Sequence, residues 1–148
     1  MSSISFTINE SSQDQIFGHL NECDLDFIPS LSSRIDIESY SNKIRSNAVT
    51  IEAFCDDDLV GLLAVYVKKD ENSDSYITNV SVVKEYWGKG IGSGLLHHCI
   101  KYLQNHHVKY VRLEVNSENI IVQRLYKNSG FNIVGEKHNV IIMSRLLE

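Results

Sequence analysis

Two adjoining stretches decide the fold. The first is Tyr76-Ile77-Thr78-Asn79-Val80-Ser81-Val82-Val83. The second is Trp87-Gly88-Lys89-Gly90-Ile91-Gly92-Ser93-Gly94, which runs on into Leu95-Leu96-His97-His98-Cys99-Ile100. The first is rich in β-branched residues and predicts a strand. From Gly90 to Asn105 the pattern is helical. Ile91, Leu95, Leu96, Cys99, Ile100 and Leu103 fall within half a helical turn of arc, while His97, His98, Lys101 and Gln104 take the opposite arc and are expected in solvent. Between strand and helix stand glycines at alternate positions. Such a turn lets main-chain N–H groups approach an anion closely, and the helix N-terminus adds partial positive charge. The loop is therefore a candidate pyrophosphate cradle. It is not a G-x-G-x-x-G fingerprint, because Ser93 or Leu95 stands where the third glycine should fall, and no G-x-x-x-x-G-K-[ST] string exists in the chain.

Outward from this core, Ser5 to Ile8 reads as a short strand, and Ser12 to Cys23 and Ile37 to Ser46 as helices. Between those helices, the polar stretch from Asn21 to Ser33 holds the only proline, Pro29, and reads as a loop. Thr50 to Cys55 and Leu59 to Lys68 form a hairpin around Asp56-Asp57-Asp58. Tyr110 to Val115 is a strand and Asn119 to Asn128 a helix, stopped by Ser129-Gly130. Phe131 to Val134 and Val140 to Leu147 are the last strands. Hairpins mixed with crossovers indicate an α/β or α+β sheet covered by helices.

The 148 residues fit one domain, 1–148. With 43% hydrophobic and 22% charged residues the chain matches an ordinary globular protein and not a disordered one. The net charge of −5 argues against nucleic acid as a partner. No stretch is long and apolar enough to span a bilayer, and MSSISFTINE lacks the basic and apolar regions of a secretory signal. The expectation is a cytoplasmic protein without a membrane partner. Three cysteines, Cys23, Cys55 and Cys99, lack CxxC spacing, and the histidine pairs His97-His98 and His106-His107 point apart on a helix. No metal is expected.

Asn79-Val80-Ser81-Val82, Tyr86-Trp87-Gly88-Lys89-Gly90-Ile91-Gly92 and Leu95-Leu96 together resemble motif A of the GNAT superfamily of acetyl-CoA-dependent N-acetyltransferases, whose pattern is Arg/Gln-x-x-Gly-x-Gly/Ala. Leu113-Glu114-Val115, Asn119, Leu125-Tyr126 and Gly130-Phe131 resemble motif B at the expected spacings. The close resemblance covers residues 76–135, the cofactor-binding core, with a weaker trace at Met143. Residues 1–50 match only in their strand-helix-helix pattern, and the helices at about 10–50 would form the acceptor side. The resemblance implies a GNAT-like acyl-CoA N-acyltransferase fold. That is a mixed, mostly antiparallel sheet of six or seven strands flanked by about four helices. The Tyr76–Val83 and Tyr110–Val115 strands would run parallel and splay around acetyl-CoA, the co-substrate.

The resemblance also implies roles. Val80, Ser81 and Val82 would offer main-chain groups to the pantetheine arm. Gly88, Lys89, Gly90, Ile91, Gly92 and Ser93 would cradle the pyrophosphate. Asn119 would bind the cofactor arm and Tyr126 would sit beside the thioester sulfur. Two positions depart from the family. Trp87 stands where arginine or glutamine is usual, which implies weaker cofactor affinity, and Val122 stands where alanine is preferred. A homodimer is compatible with the resemblance.

The chemistry would be attack of a neutral primary amine on the thioester. The amine belongs to a small molecule, an amino sugar or a peptide. An alkyl ammonium must first lose a proton, at a cost of roughly 4 kcal/mol at neutral pH. A general base is needed, as is an acid for the thiolate. Tyr126 is the candidate acid. Asn119, Val122 and Tyr126 lie on one helical seam, with Tyr126 about 10 Å along the axis from Asn119, while Ile121 and Leu125 are expected on the apolar side. Glu114 is the candidate base. Alternation puts Val111, Leu113 and Val115 on one face of their strand and Arg112 and Glu114 on the other. A Glu114–Arg112 ion pair is the plain structural alternative, and a water held by Asn79 or Ser81 is the alternative base. Asp24, Asp26, Asp36 and Glu38 suggest an acidic rim suited to a cationic amine, while Tyr40, Lys43 and Ile44 would suit an amino-sugar pocket. Competing readings are a non-catalytic acyl-CoA-binding or sensor module and another nucleotide-binding domain.

Overall fold

The computed structural model describes residues 3–68 and 74–147. In chain order the elements are β1 (Ile4–Ile8), α1 (Gln13–Cys23), α2 (Ile37–Asn47), β2 (Val49–Cys55), β3 (Asp58–Val67), β4 (Asp74–Val82), α3 (Ile91–Asn105), β5 (Tyr110–Asn116), α4 (Ile120–Asn128), β6 (Asn132–Lys137) and β7 (Val140–Leu146). Single 3₁₀ turns at Asp24–Asp26, Leu31–Ser33 and Lys84–Tyr86 supply the rest of the local order. The strand and helix limits agree with the sequence reading to within two or three residues.

The seven strands form one sheet in the order β1-β2-β3-β4-β5-β7-β6. Every neighbouring pair is antiparallel except β4 and β5. Only this pair needs a crossover connection, and α3 supplies it. The β2–β3 hairpin turns at Asp56, whose φ of 53° is a left-handed conformation that a short polar side chain tolerates.

Helix ends follow local chemistry. Ser12 and Gln15 form a reciprocal capping box on α1, Asp36 caps α2 through the Ser39 N–H, and Asn119 caps α4 through the Val122 N–H. The start of α3 alone is different. Gly90 sits there in the left-handed region and no side chain caps the helix.

β3 divides the interior. Leu63 and Val65 point to one face, where they pack with Ile51, Leu95, Leu96, Cys99 and Leu103 under α3. Leu62 and Ala64 point to the other, where they pack with Ile16, Leu20, Leu31, Ile37 and Ile44 under α1 and α2. This places Ile44 inside a core, fully buried, and corrects the expectation that it lines an acceptor pocket. A second correction concerns α4. Ile121 is 76% exposed and does not join Leu125 on the apolar side. Gln123 takes the buried position instead, because its amide donates to the Asn116 and Ser117 carbonyls at 3.1 and 3.0 Å. On α3, His97 is exposed as expected, but His98 is partly covered by the Phe6 ring at 4.7 Å. Among the described residues no helix is long and apolar enough to cross a membrane.

Candidate active site

β4 and β5 pair over three rungs only, Asp74↔Tyr110, Ser75↔Val111 and Tyr76↔Arg112. Beyond Tyr76 the strands part. β4 stays paired with β3, with one extra residue at Thr78, since Ala64 faces Asn79 and Val65 faces Ile77. Such a bulge bends a strand and re-aims its groups. The direction of the main chain follows from one bond. The Val83 N–H donates to the Val60 carbonyl at 2.9 Å. Counting back by two in an antiparallel ladder, Ser81 also exchanges its main-chain bonds with β3, opposite Leu62. Val80 and Val82 therefore turn their main-chain groups toward the gap that β5 leaves. The Val82 carbonyl is taken by the Trp87 indole N–H at 2.8 Å. The Val80 N–H and carbonyl and the Val82 N–H face the gap.

The glycine loop lies at the end of this strand. Gly88 and Gly90 both have φ of +79°, which L side chains rarely adopt. The first main-chain bond of α3 runs from the Gly94 N–H to the Gly90 carbonyl. The amides of Ile91, Gly92 and Ser93 thus belong to the unpaired first turn. Unpaired amides at a helix start, together with the helix dipole, are suited to meeting an anion. The Ile91 side chain is buried in the core, so this residue can offer only its amide. Gly92 and Gly94 are glycines for a different reason. A Cβ on Gly92 would press on Leu125 of α4 at 3.0 Å, and one on Gly94 would collide with the Phe6 ring. Lys89 is exposed, with its ammonium 5.2 Å from the centre of the Tyr86 ring.

Tyr126 is buried against Phe131, with ring centres 5.9 Å apart. Burial raises its phenol pKa above the usual value, and the nearby Tyr76 adds to the shift. Glu114 is exposed on β5, two residues past the last β4–β5 rung. Its Oε2 accepts the Tyr76 O–H at 2.9 Å, a bond that spans the two strands where they part. The expected alternative, a Glu114–Arg112 pair, is replaced by Arg112 with Asp74 at 3.0 Å. Burial, followed by the Glu114 bond, pushes the Tyr76 phenol up to about 12. Among the described residues no three His, Cys, Asp or Glu side chains gather as a metal site.

The sequence matches the acetyltransferase (GNAT) family over residues 14–131. The chain belongs to that family. It is thereby an acyltransferase. No curated protein sequence matches the chain. Solved structures share the fold. The ribosomal-protein-S18-alanine N-acetyltransferase of Escherichia coli superposes with a TM-score of 0.77 at 18% identity, over 99% of this chain and 94% of that one. The PaiA N-acetyltransferase of Thermoplasma acidophilum, solved in complex with coenzyme A, gives 0.78 at 18% identity, over 96% and 99%. A GNAT-family acetyltransferase of Staphylococcus aureus gives 0.79 at 18% identity, over 99% and 100%.

Around α1 and α2, the acids expected to form a rim are partly engaged in local bonds. Asp24 accepts the Ser32 N–H at 2.7 Å and Asp36 caps α2, and these bonds hold both carboxyls below the usual range. Tyr40 reaches the β4 bulge, where its hydroxyl bonds the Thr78 carbonyl at 2.7 Å and Thr78 Oγ1 at 2.8 Å. Lys43 places its ammonium 5.4 Å from the Tyr66 ring centre. A cavity of about 430 Å³ opens beside α1, bounded by Asp14, Glu22, Asp58 and Glu85. It includes none of Tyr76, Glu114 or Tyr126.

Glu52 and His19 are among the buried polar groups that escape the sequence reading. Glu52 is fully buried on β2 and accepts from Thr7 Oγ1 at 2.7 Å, the Glu10 N–H at 3.2 Å, Ser11 Oγ at 2.8 Å and Thr50 Oγ1. A lone acid in the apolar run Val49–Cys55 is the signal that marks it. His19, on the inner face of α1, is 3% exposed and bonds Leu59 and Ser81. Its place, three residues past Ile16, could be read as inward, but its partners lie far off in sequence.

Proposed function

We propose that this protein moves the acetyl group of acetyl-CoA to a primary amine by direct attack. One observation carries the reading. The gap between β4 and β5 presents the main chain of Val80 and Val82 in line with a helix start that has no side-chain cap. The amides from Gly88 to Ser93 hold the pyrophosphate, with Lys89 adding positive charge. Val80 and Val82 bond the pantetheine arm through their main chain. Ser81, whose main chain faces β3 and whose hydroxyl lies buried between His19 and Asn79, offers the arm no free group and instead holds the strand between Val80 and Val82. Asn119 keeps its Oδ1 on the α4 cap at 3.3 Å and turns its amide N–H groups to the cofactor arm.

In the reaction the amine nitrogen bonds the thioester carbon, and the tetrahedral oxyanion collapses with loss of the C–S bond. Main-chain N–H groups of β4 stabilise the oxyanion. Glu114, oriented by Tyr76, takes the amine proton directly or through water. Tyr126 gives its proton to the departing thiolate and regains one from solvent. A phenol with a raised pKa keeps its proton at neutral pH and surrenders it only to a base formed in the same desolvated gap.

Trp87 fits this scheme without the guanidinium or amide usual at its position. Its N–H secures the Val82 carbonyl and so fixes the turn that leads into the loop.

The test is a thermal-shift titration with acetyl-CoA, beside CoA, NAD and ATP. A ligand at 100 times its Kd adds about 2.7 kcal/mol of stability. Stabilisation by acetyl-CoA and CoA alone is expected, followed by amine-dependent release of CoA thiol. Stabilisation by NAD or ATP in their place, or by none, would overturn the reading.

A further inference from the structure

The part of β4 that leaves β5 is held from the opposite face by a chain of buried hydrogen bonds. His19 Nδ1 lies 3.2 Å from the Leu59 carbonyl, which can only accept, so Nδ1 carries the proton. In the neutral ring Nε2 is then the acceptor, and at 2.9 Å it receives the Ser81 hydroxyl. Ser81 Oγ in turn accepts from the Asn79 amide at 3.0 Å, and the same amide donates to the Leu62 carbonyl at 3.1 Å. Each partner allows one direction only, so the chain runs Asn79 to Ser81 to His19 to Leu59. Burial brings the His19 pKa down to about 4, which keeps the ring neutral as this arrangement requires. The Cys23 thiol lies 3.8 Å from Nε2. His19, Asn79 and Ser81 are all buried.

The location gives the chain a purpose beyond stability. Residues 79–82 of β4 have a strand neighbour on one side only. Ser81 lies between Val80 and Val82, whose main chains face the gap, and it is pinned on both its main chain and its side chain. We infer that His19, Ser81 and Asn79 are positioning residues that fix this half of β4 from α1, so that Val80 and Val82 meet the thioester arm in register. The inference rests on the acetyl-CoA reading above and makes α1, an acceptor-side helix, part of the cofactor site's support.

Two substitutions at one position separate positioning from stability. His19→Asn keeps a donor for the Leu59 carbonyl and loses the acceptor for Ser81. His19→Gln keeps an acceptor for Ser81 and loses the donor to Leu59. Each gives up one buried hydrogen bond, so both should lower Tm alike. Only the first disconnects β4. With the full-length protein and CoA as calorimetric probe, His19→Asn should weaken the Kd about tenfold and His19→Gln about threefold or less. Ser81→Ala should behave like His19→Asn, and Ser81→Thr, which keeps the hydroxyl, should recover most of the affinity. This second pair serves if a His19 variant fails to fold. Equal loss in the two His19 variants, or no loss on Ser81→Ala, overturns the inference alone. Wild-type protein that binds no CoA overturns the acetyl-CoA reading with it.

Discussion

The two faces of this sheet are built on different principles. Under α3 the packing is apolar and periodic: Ile51, Leu63, Val65, Leu95, Leu96 and Leu103 interlock with almost no polar partner. Under α1 and α2 the apolar cluster is smaller, and beside it lie the buried Glu52, His19, Asn79 and Ser81, each satisfied by partners from distant parts of the chain. The first arrangement tolerates a change of shape at the cost of a cavity. The second fails when any one partner is removed, because its neighbours are left buried and unpaired. The apolar face supports the helix start that would hold the cofactor. The polar face fixes the strand beside it.

The largest expected effect is at the junction of the two. Gly90→Asp places a side chain at φ +79° and a negative charge where the pyrophosphate would bind. Loss of any thermal shift with CoA is expected, with a stability loss of only about 1–2 kcal/mol from backbone strain. A normal CoA Kd in this variant would remove the loop from the site.

Next in size, Tyr126→Phe should lower kcat by roughly 10²- to 10³-fold, the range of a lost general acid, with the CoA Kd little changed. An unchanged rate would remove Tyr126 from the chemistry.

The contrast between faces is sharpened by a matched pair. Glu52→Ala strands the donors of Thr7, Glu10, Ser11 and Thr50, and about 3–4 kcal/mol should be lost. Leu96→Ala, at a fully buried site under α3, should cost about 3 kcal/mol through its cavity. Urea denaturation measures both. A Glu52→Ala variant of wild-type stability would mean that the polar face is held by its apolar residues alone.

The smallest effect near neutral pH is that of acid. His19 is neutral in the folded state down to about pH 4, whereas in the unfolded chain it titrates near 6.5. Below 6.5 the unfolded state binds the extra proton, so stability falls as pH drops through the window from 6.5 to 4 and levels off below it. The contribution is at most about 3 kcal/mol. A His19→Leu variant should lose this slope, and a wild-type slope in that variant would place the acid sensitivity elsewhere.

Sequence periodicity made the apolar face legible. The strand–glycine–helix unit, the alternation on β5 that exposes Glu114, and the parting of β4 from β5 all follow from local pattern or family motif. The polar face was not legible in the same way. The His19–Ser81 bond joins residues 62 apart, and Glu52 draws on residues more than 40 positions away on the β1 side. Such pairs leave no period. The bulge at Thr78 depends on register with β3, which no property of β4 alone specifies. Ile121 misled because a nine-residue helix offers few turns for its apolar arc, and Gln123 held the inner position with two hydrogen bonds. Asp24 and Asp36 also bond local backbone, a use that composition does not distinguish from ligand binding.

All three cysteines are buried, at 2%, 5% and 0% exposure. Burial pushes the thiols of Cys23 and Cys99 up to about 12, far from the thiolate that reacts. Buried as they are, the three thiols should react slowly with disulfide-forming dyes in the folded protein. In a colorimetric assay of the proposed reaction, the colour should then come chiefly from released CoA, with little enzyme background. The same slowness turns the dye into a clock. Without substrate, slow labelling counts only those molecules whose core has opened, and a bound cofactor that holds the core shut would slow it.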